Sequence, residues 1–185
     1  VERKDLAKAE GIAREVAAKN REGDPFDPAT RIGPLVSANQ KIKVMDYIAK
    51  GIAEGAKLVF GGKTPDGLTE GHFVEATVFS NVTRDMCIAR EEIFGPVLSI
   101  MPYDTVDEAI DIANDTPYGL AGAVWAKDQR DAEEVAKQID SGQIDLNGGR
   151  FNPLAPFGGF KASGHGRENG PFGLDEFLEP KSLQY

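Results

Sequence analysis

The stretch VLSIMPYDTVDEAIDIANDTPYGLAGAVWAKDQRDAEEVAKQIDSGQIDLN, residues 97–147, decides the fold class. Its apolar segments VLSIMPY, AGAVWAK and QIDLN predict strands, and the two segments between them have the apolar spacing of amphipathic helices. Alternating strands and helices with short connections favour right-handed crossovers and a parallel sheet. We therefore predict an α/β protein with an open doubly wound, mainly parallel sheet and helices on both faces. Trp125, on the middle strand, is expected in the core.

The residues before this stretch add two helices and two strands to the prediction. Residues 5–20 are alanine-rich with apolar residues at helical spacing, and a loop with three prolines, REGDPFDPATRIGPL, follows. Ser37 and Gln40 have the spacing of a capping box at the start of a second helix, which Gly55 closes. The segments AKLVFGG and FVEATVF predict strands.

Composition excludes several classes of protein. The chain has 185 residues and a formal net charge of −9, which disfavours nucleic-acid binding because that binding depends on neutralising phosphates. The longest apolar runs are too short to span a membrane, so we expect no membrane partner. A single cysteine cannot form an internal disulfide, and this is typical of a cytoplasmic protein.

That cysteine, Cys87, is the first candidate for chemistry. A nucleophilic cysteine needs a lowered pKa and partial exposure, whereas a free cysteine is more often a small buried apolar side chain. An independent hydrolase that uses Cys87 with His72 or His165 is one alternative. The two histidines lie in no metal-ligand cluster, so we predict no metal site.

The paired carboxylates Glu91 and Glu92 follow in the segment CIAREEIFGP. Two catalytic carboxylates must converge on a substrate, whereas adjacent side chains diverge on both strands and helices. At most one of the pair therefore points into a site.

The glycine-rich segment after residue 147 matches no phosphate-binding motif. Gly159 and Gly164 have the Walker spacing, but His165 stands where the lysine is required. GHGRENG also departs from the dinucleotide pattern by one residue. We expect these glycines to allow tight turns and close backbone packing.

Several motifs in a fixed order resemble one family. GDPFDPATRIGPL, IAREEIFGPVLSI, ANDTPYGLAGAVWAKD, PFGG and SGHGRE resemble the C-terminal part of the NAD(P)-dependent aldehyde dehydrogenase superfamily. The resemblance runs from about Gly11 to the end of the chain, with Ala76 where the family usually has proline.

This resemblance implies roles for named residues. Glu92 would bind the hydroxyls of the nicotinamide ribose of NAD or NADP, and Phe94 would pack near that ribose and ring. Phe157 would line the aldehyde pocket and Phe151 its mouth, while Asn147 would brace the active-site loops. The family oxidises an aldehyde to a carboxylic acid through a thiohemiacetal and a thioester. Its nucleophilic cysteine lies upstream of GDPFDP, so this chain is expected to supply no catalytic residue and to be inactive alone.

The resemblance also implies an organisation and partners. Residues 1–177 would form part of the catalytic domain, and residues 178–185 an arm that joins subunits of a homo-oligomer. The other expected partners are the aldehyde and an N-terminal cofactor domain outside this chain. A non-catalytic α/β assembly module and a related acyl-phosphate reductase remain as alternatives.

Overall fold

A computed structural model describes residues 1–185, which fall into two compact units, Val1–Thr105 and Val106–Tyr185. The α-helices are α1 (Leu6–Lys19), α2 (Ala38–Ala53), α3 (Cys87–Arg90), α4 (Val106–Asn114), α5 (Gln129–Ala136) and α6 (Gly170–Asp175). The strands are β1 (Lys57–Phe60), β2 (Thr77–Ser80), β3 (Val97–Ser99), β4 (Ala121–Val124) and β5 (Gln143–Leu146). Short 3₁₀ turns cover Arg3–Asp5 and Lys161–Ser163.

The first unit is built on a three-stranded sheet with β2 in the centre. β2 runs antiparallel to β1 and parallel to β3, with Thr77 opposite Val97 in the parallel pair. All residues of β2 are buried, as expected for a central strand with neighbours on both edges.

Helices cover both faces of this sheet. Val78 of β2 belongs to an apolar cluster that contains Ala17 of α1, whereas Phe79 belongs to a second cluster that contains Val44 and Ile48 of α2. Successive strand residues point to opposite faces, so α1 lies on one face and α2 on the other. The cluster around Phe79 also contains Ile88 of α3, which therefore packs on the same side as α2.

The start of α2 confirms half of the predicted capping box. The Ser37 hydroxyl accepts a hydrogen bond from the Gln40 backbone N–H at 3.2 Å. A capping box would also have the Gln40 side chain bonded to the Ser37 backbone. Instead, the Gln40 side chain donates to the carbonyls of Ile93 and Phe94. Gly55 follows the helix with a φ of 96°, the left-handed position predicted for it.

The second unit contains a parallel pair, β4 and β5, with Ala121 opposite Gln143. Asp128 caps α5 by accepting a hydrogen bond from the Arg130 backbone N–H at 2.8 Å, as predicted. Ala132 of α5 is fully buried, and Val124 of β4 is buried as well. The packing of α5 on both strands forms the core of this unit.

A glycine contact fixes the glycine-rich segment beside this pair. A Cβ added to Gly142, just before β5, would lie 1.6 Å from the carbonyl oxygen of Gly158. The two backbones approach too closely for a side chain at Gly142, and this is the close packing predicted for the glycine-rich segment that contains Gly158.

Two predictions from residues 97–147 are wrong, one about strand pairing and one about the burial of Trp125. The strands of residues 97–147 were expected in one sheet, but β3 pairs with β2 while β4 pairs with β5. The short helix α3 supplies the crossover that parallel β2 and β3 need, and the sequence did not suggest it as one. Trp125 was expected in the core but is 74% exposed. Parallel pairs still outnumber the antiparallel one, and the doubly wound arrangement remains a prediction.

None of the helices has both the length and the apolar character required to cross a bilayer.

One ion pair ties α1 to the sheet and gives the first unit a pH-dependent stability. The Glu10 carboxylate accepts a hydrogen bond from Lys57 Nζ at 2.6 Å, and this bond holds the pKa of Glu10 below its usual range. A lowered folded-state pKa means that the stabilisation is present above the unfolded-state pKa of about 4.5 and is lost as the pH falls through the folded-state value.

We predict that Glu10→Gln lowers the free energy of unfolding by roughly 1 kcal/mol at neutral pH, as expected for a partly exposed ion pair. The difference from the wild type should shrink as the pH falls below about 4.5 and vanish once the pH lies below the lowered folded-state pKa of Glu10. Urea denaturation at the two pH values measures it. Glu15→Gln, an exposed change on the same helix, is the control and should have little effect at either pH. A Glu10→Gln deficit that is equal at both pH values would contradict the ion-pair account.

Candidate functional site

The loop 91–96 connects α3 to β3 and carries two of the predicted site residues. Glu92 and Phe94 are both exposed, whereas Ile93 between them is buried in the core of the first unit. Gly95 has no room for a side chain, because a Cβ there would lie 2.6 Å from Cγ2 of Val44. The loop is therefore anchored by Ile93 and pressed against α2, and it presents Glu92 and Phe94 outwards.

Gln40 of α2 binds the backbone of this loop directly. Its side-chain Nε2 donates to the carbonyl oxygens of Ile93 and Phe94, each at 3.0 Å. Phe94 has a φ of 55°, in the left-handed region that non-glycine residues rarely adopt. The surrounding contacts must hold such a conformation in place.

Two more side chains of α2 reach the same loop. The Tyr47 hydroxyl donates to the Glu91 carboxylate at 2.5 Å. Lys43 Nζ donates to the Glu92 carbonyl oxygen at 3.2 Å and lies 6.0 Å from the centre of the Phe94 ring, a cation–π distance. The two adjacent carboxylates thus have different surroundings: both residues are exposed, but only the Glu91 carboxylate accepts a hydrogen bond from Tyr47.

Cys87 begins α3 and is partly buried against the core of the first unit. Its backbone N–H donates to the Glu54 carboxylate at 2.8 Å. Burial raises the pKa of the Cys87 thiol, and a hydrogen bond with Glu54 and the negative charge of Glu54 raise it further. These surroundings disfavour the thiolate, which is the reactive form of cysteine.

In the second unit, Asn147 directly follows β5 and braces the turn after β4. Its Oδ1 accepts a hydrogen bond from the Ala126 backbone N–H at 2.9 Å, and its Nδ2 donates to Gln129 Oε1 at 3.4 Å. Its own N–H donates to the Val124 carbonyl at 2.9 Å. Asn147 has a φ of 50°, a left-handed conformation that asparagine tolerates better than most residues.

The two predicted pocket phenylalanines of the second unit lie together. The rings of Phe151 and Phe157 are 6.1 Å apart between centroids and meet edge to face at 76°. Phe157 is fixed by paired backbone hydrogen bonds with Glu168, of 2.7 and 2.6 Å, whereas Phe151 is 56% exposed. The pair forms a small aromatic surface with one fixed and one exposed ring.

An open cavity of about 450 Å³ lies along the glycine-rich segment of the same unit. The positively charged side chains that line this cavity, Lys161 and Arg167, already bind other groups of the chain. Arg167 donates to the carbonyls of Gly159 and Gly166 and lies over the ring of Phe160, and Lys161 donates to the carbonyl of Asn114. We therefore assign it no ligand.

The structure groups the predicted residues within each unit. Glu92 and Phe94 share one loop of the first unit, and Phe151 contacts Phe157 in the second. Asn147 makes its hydrogen bonds to Ala126 and Gln129 rather than to either phenylalanine.

Sequence reasoning missed the α2 side chains that support the loop: Gln40, Lys43 and Tyr47. Their spacing places three hydrogen-bonding groups on one helix face, but it does not indicate which distant part of the chain that face contacts.

The first-unit loop has a definite chemical character. An exposed carboxylate accepts hydrogen bonds from hydroxyl groups, and an exposed aromatic ring offers a flat apolar surface. A lysine beside them adds a positive charge. No group of three or more His, Cys, Asp or Glu side chains is arranged to hold a metal ion.

These features define an α/β protein whose first unit presents an exposed carboxylate and an exposed aromatic ring on a loop packed against α2. The family model described as "Aldehyde dehydrogenase family" matches residues 7–183. The chain therefore belongs to the aldehyde dehydrogenase family.

Similar proteins agree with this assignment. A curated relative from Staphylococcus haemolyticus, named "Putative aldehyde dehydrogenase SH0913", is 50% identical over 171 residues, which are 92% of this chain and 36% of the relative. The chain thus spans about a third of the length of the curated relatives that it matches.

Solved structures show the same fold. A mutant of aldehyde dehydrogenase C from Pseudomonas syringae, in complex with NAD⁺ and octanal, has a TM-score of 0.93 and 48% identity, over 97% of this chain and 37% of that one. The Mycobacterium tuberculosis aldehyde dehydrogenase in complex with NAD⁺ has a TM-score of 0.92 and 46% identity, over 100% of this chain and 40% of that one.

Proposed function

We propose that this chain is the C-terminal part of an NAD(P)-dependent aldehyde dehydrogenase that oxidises an aldehyde to a carboxylic acid. Family membership supports the proposal, as do similar structures that contain NAD⁺. The bound cofactor would accept the hydride from the substrate. NADP as an alternative cofactor and a cytoplasmic location remain predictions from the sequence.

The observation that carries the proposal is the exposed Glu92 carboxylate on a loop whose backbone is fixed. A carboxylate can accept hydrogen bonds from two adjacent hydroxyls, and the nicotinamide ribose offers such a pair. The loop is bonded to α2 at the carbonyls of Glu92, Ile93 and Phe94, so little ordering of the protein is left for ligand binding. Phe94 would provide the flat surface beside the ribose.

The second unit would supply the aldehyde pocket and its support. Phe157, fixed through its backbone, would form the pocket wall, and the exposed Phe151 would line the mouth. Asn147 would hold the turn after β4 in place and take no part in the chemistry.

The nucleophile would lie outside this chain. Cys87 is the only cysteine, and its raised pKa disfavours the thiolate that attack on an aldehyde requires. We therefore infer that the chain is inactive alone and that Cys87 is a structural residue.

We predict that the isolated chain does not reduce NAD or NADP in the presence of aldehydes, because it supplies cofactor and substrate contacts without a nucleophile. Cofactor reduction is followed by absorbance with short and long aliphatic and aromatic aldehydes. Cys87→Ala is the control for any residual signal. Turnover that persists through purification and disappears in Cys87→Ala would show that this chain carries its own nucleophile.

We predict that Glu92→Gln, made in the longer enzyme that contains this chain, slows hydride transfer more than it weakens NAD binding. Glutamine keeps one acceptor oxygen but loses the charge, and a hydrogen bond to a charged group is worth about 1.5–3 kcal/mol. Single-turnover kinetics and NAD titration separate the two effects. Glu70→Gln, at an exposed position elsewhere in the same unit, is the matched control. An unchanged hydride-transfer rate in Glu92→Gln would refute the proposed role.

We further propose that residues 1–177 belong to the catalytic domain and that residues 178–185 form an arm that contacts a second subunit. Residues 176–185 have no regular secondary structure and are exposed. Leu178 and Leu183 are exposed apolar residues within the arm, at 56% and 67%. Exposed apolar residues next to unpaired backbone groups favour pairing with another chain.

We predict that the chain self-associates and that removal of residues 178–185 shifts the equilibrium towards the monomer. High salt should strengthen association by screening the net charge of −9, since the Debye length falls to about 3 Å at 1 M. Light scattering across a dilution series measures this. Phe26→Ser, which removes an apolar residue that is 93% exposed in the first unit, is the control. A monodisperse monomer of the 185-residue chain at high concentration in both salts would rule the arm out as a contact.

A further inference from the structure

One face of α2 makes several side-chain contacts to the loop 91–96. Hydrogen bonds join residues 91–94 to the side chains of Gln40, Lys43 and Tyr47. Val44 on the same helix packs against Gly95. The helix is itself held rigidly, because Val44 and Ile48 are completely or almost completely buried. The loop therefore takes its shape from α2.

We propose that Gln40 is a positioning residue that sets the conformation in which the loop presents Glu92 and Phe94 to the cofactor. The inference rests on the proposed function of those two residues and extends it to a side chain whose amide nitrogen is bonded to the loop backbone. It assigns Gln40 a task that a helix-capping glutamine does not have.

Two backbone carbonyls accept hydrogen bonds from one side-chain amide, and this geometry supports the inference. Consecutive carbonyls of an extended strand point to opposite sides, but those of Ile93 and Phe94 both accept from Nε2 of Gln40. The left-handed backbone of Phe94 turns them to the same side. Gln40 thus stabilises the one strained residue of the loop, and it does so beside the exposed Phe94 ring.

The chemistry of the amide makes Gln40 specific for this task. Its NH₂ group has two donors, which match the two carbonyl acceptors. A glutamate of nearly the same shape would place an acceptor oxygen against two carbonyl oxygens and repel them. A methionine would fill a similar space without any hydrogen bond. Gln40→Glu should therefore disrupt the loop more than Gln40→Met.

The first experiment uses the 185-residue chain without cofactor and follows hydrogen exchange in a peptide that covers residues 91–97. The Glu91 and Val97 amides are bonded to the carbonyls of Cys87 and Gly95 and report on the ends of the loop. We expect exchange to be about tenfold faster in Gln40→Glu, with a smaller increase in Gln40→Met. The matched control is Asn39→Asp, which introduces the same charge at the neighbouring exposed position. Exchange in Gln40→Glu that equals the control would overturn the inference.

The second experiment uses the longer enzyme and a deuterated aldehyde. We expect Gln40→Glu to slow hydride transfer between about tenfold and a hundredfold and to raise the isotope effect, since small misplacements at a reacting centre have large effects. The KM for the aldehyde should change little. A residue that merely stabilises the fold would lower the amount of active enzyme without altering the isotope effect.

A double mutant distinguishes failure of the inference from failure of the proposed function. If Gln40 acts through Glu92, Gln40→Glu should have little further effect when Glu92→Gln is already present. If Glu92→Gln slows hydride transfer and Gln40→Glu does not, the inference is overturned while the role of Glu92 stands. If Glu92→Gln itself has no effect, the proposed role of Glu92 fails and the inference fails with it.

Discussion

Helix α2 packs on the central strand of the first sheet, and the candidate site depends on this contact. Val44, Ile48 and Phe79 are fully or almost fully buried between the helix and β2. Close packing of this kind resists small displacements, so the neighbouring part of the helix surface, one turn from Val44, is held in place as well. That surface carries the Gln40 amide, which bonds to the strained turn at Phe94. Core packing thereby determines where an exposed carboxylate points.

In the second unit, a close contact between two glycines fixes the backbone in a comparable way. Gly142 lies against the Gly158 carbonyl with no space for a Cβ, so the glycine-rich segment is pinned beside the start of β5. The same segment then pairs with itself through Phe157 and Glu168. A ring whose backbone is fixed in this way can form a pocket wall even though it lies in a loop. In both units a predicted ligand-contacting side chain thus stands on a backbone that other residues hold in place.

Much of the local structure could be predicted from the sequence because its causes are local. The Ser37 and Asp128 caps, the left-handed Gly55 and the extent of α1 each depend on a few neighbouring residues. Strand pairing depends on distant residues, and here the prediction failed: β3 pairs with β2 across the α3 crossover.

The candidate site divides in the same way. Family motifs pointed to Glu92 and Phe94, but no local pattern revealed that the Gln40 side chain would bridge more than fifty residues of sequence to reach Ile93 and Phe94. The Tyr47–Glu91 hydrogen bond, across 44 positions, was equally hidden. Trp125 was assigned to the core from the apolar character of its strand alone, yet alternate residues of β4 are exposed. Apolar character in a strand indicates burial only where something covers the face.

A crystal structure of the longer enzyme with NAD bound tests the central claim most directly. The quantity to measure is the distance from the Glu92 carboxylate oxygens to the hydroxyl oxygens of the nicotinamide ribose. We predict hydrogen-bond distances of about 2.5–3.0 Å, with Gln40 still bonded to the carbonyls of Ile93 and Phe94. A well-ordered ribose with every Glu92 oxygen more than about 4 Å from its hydroxyls would contradict the account.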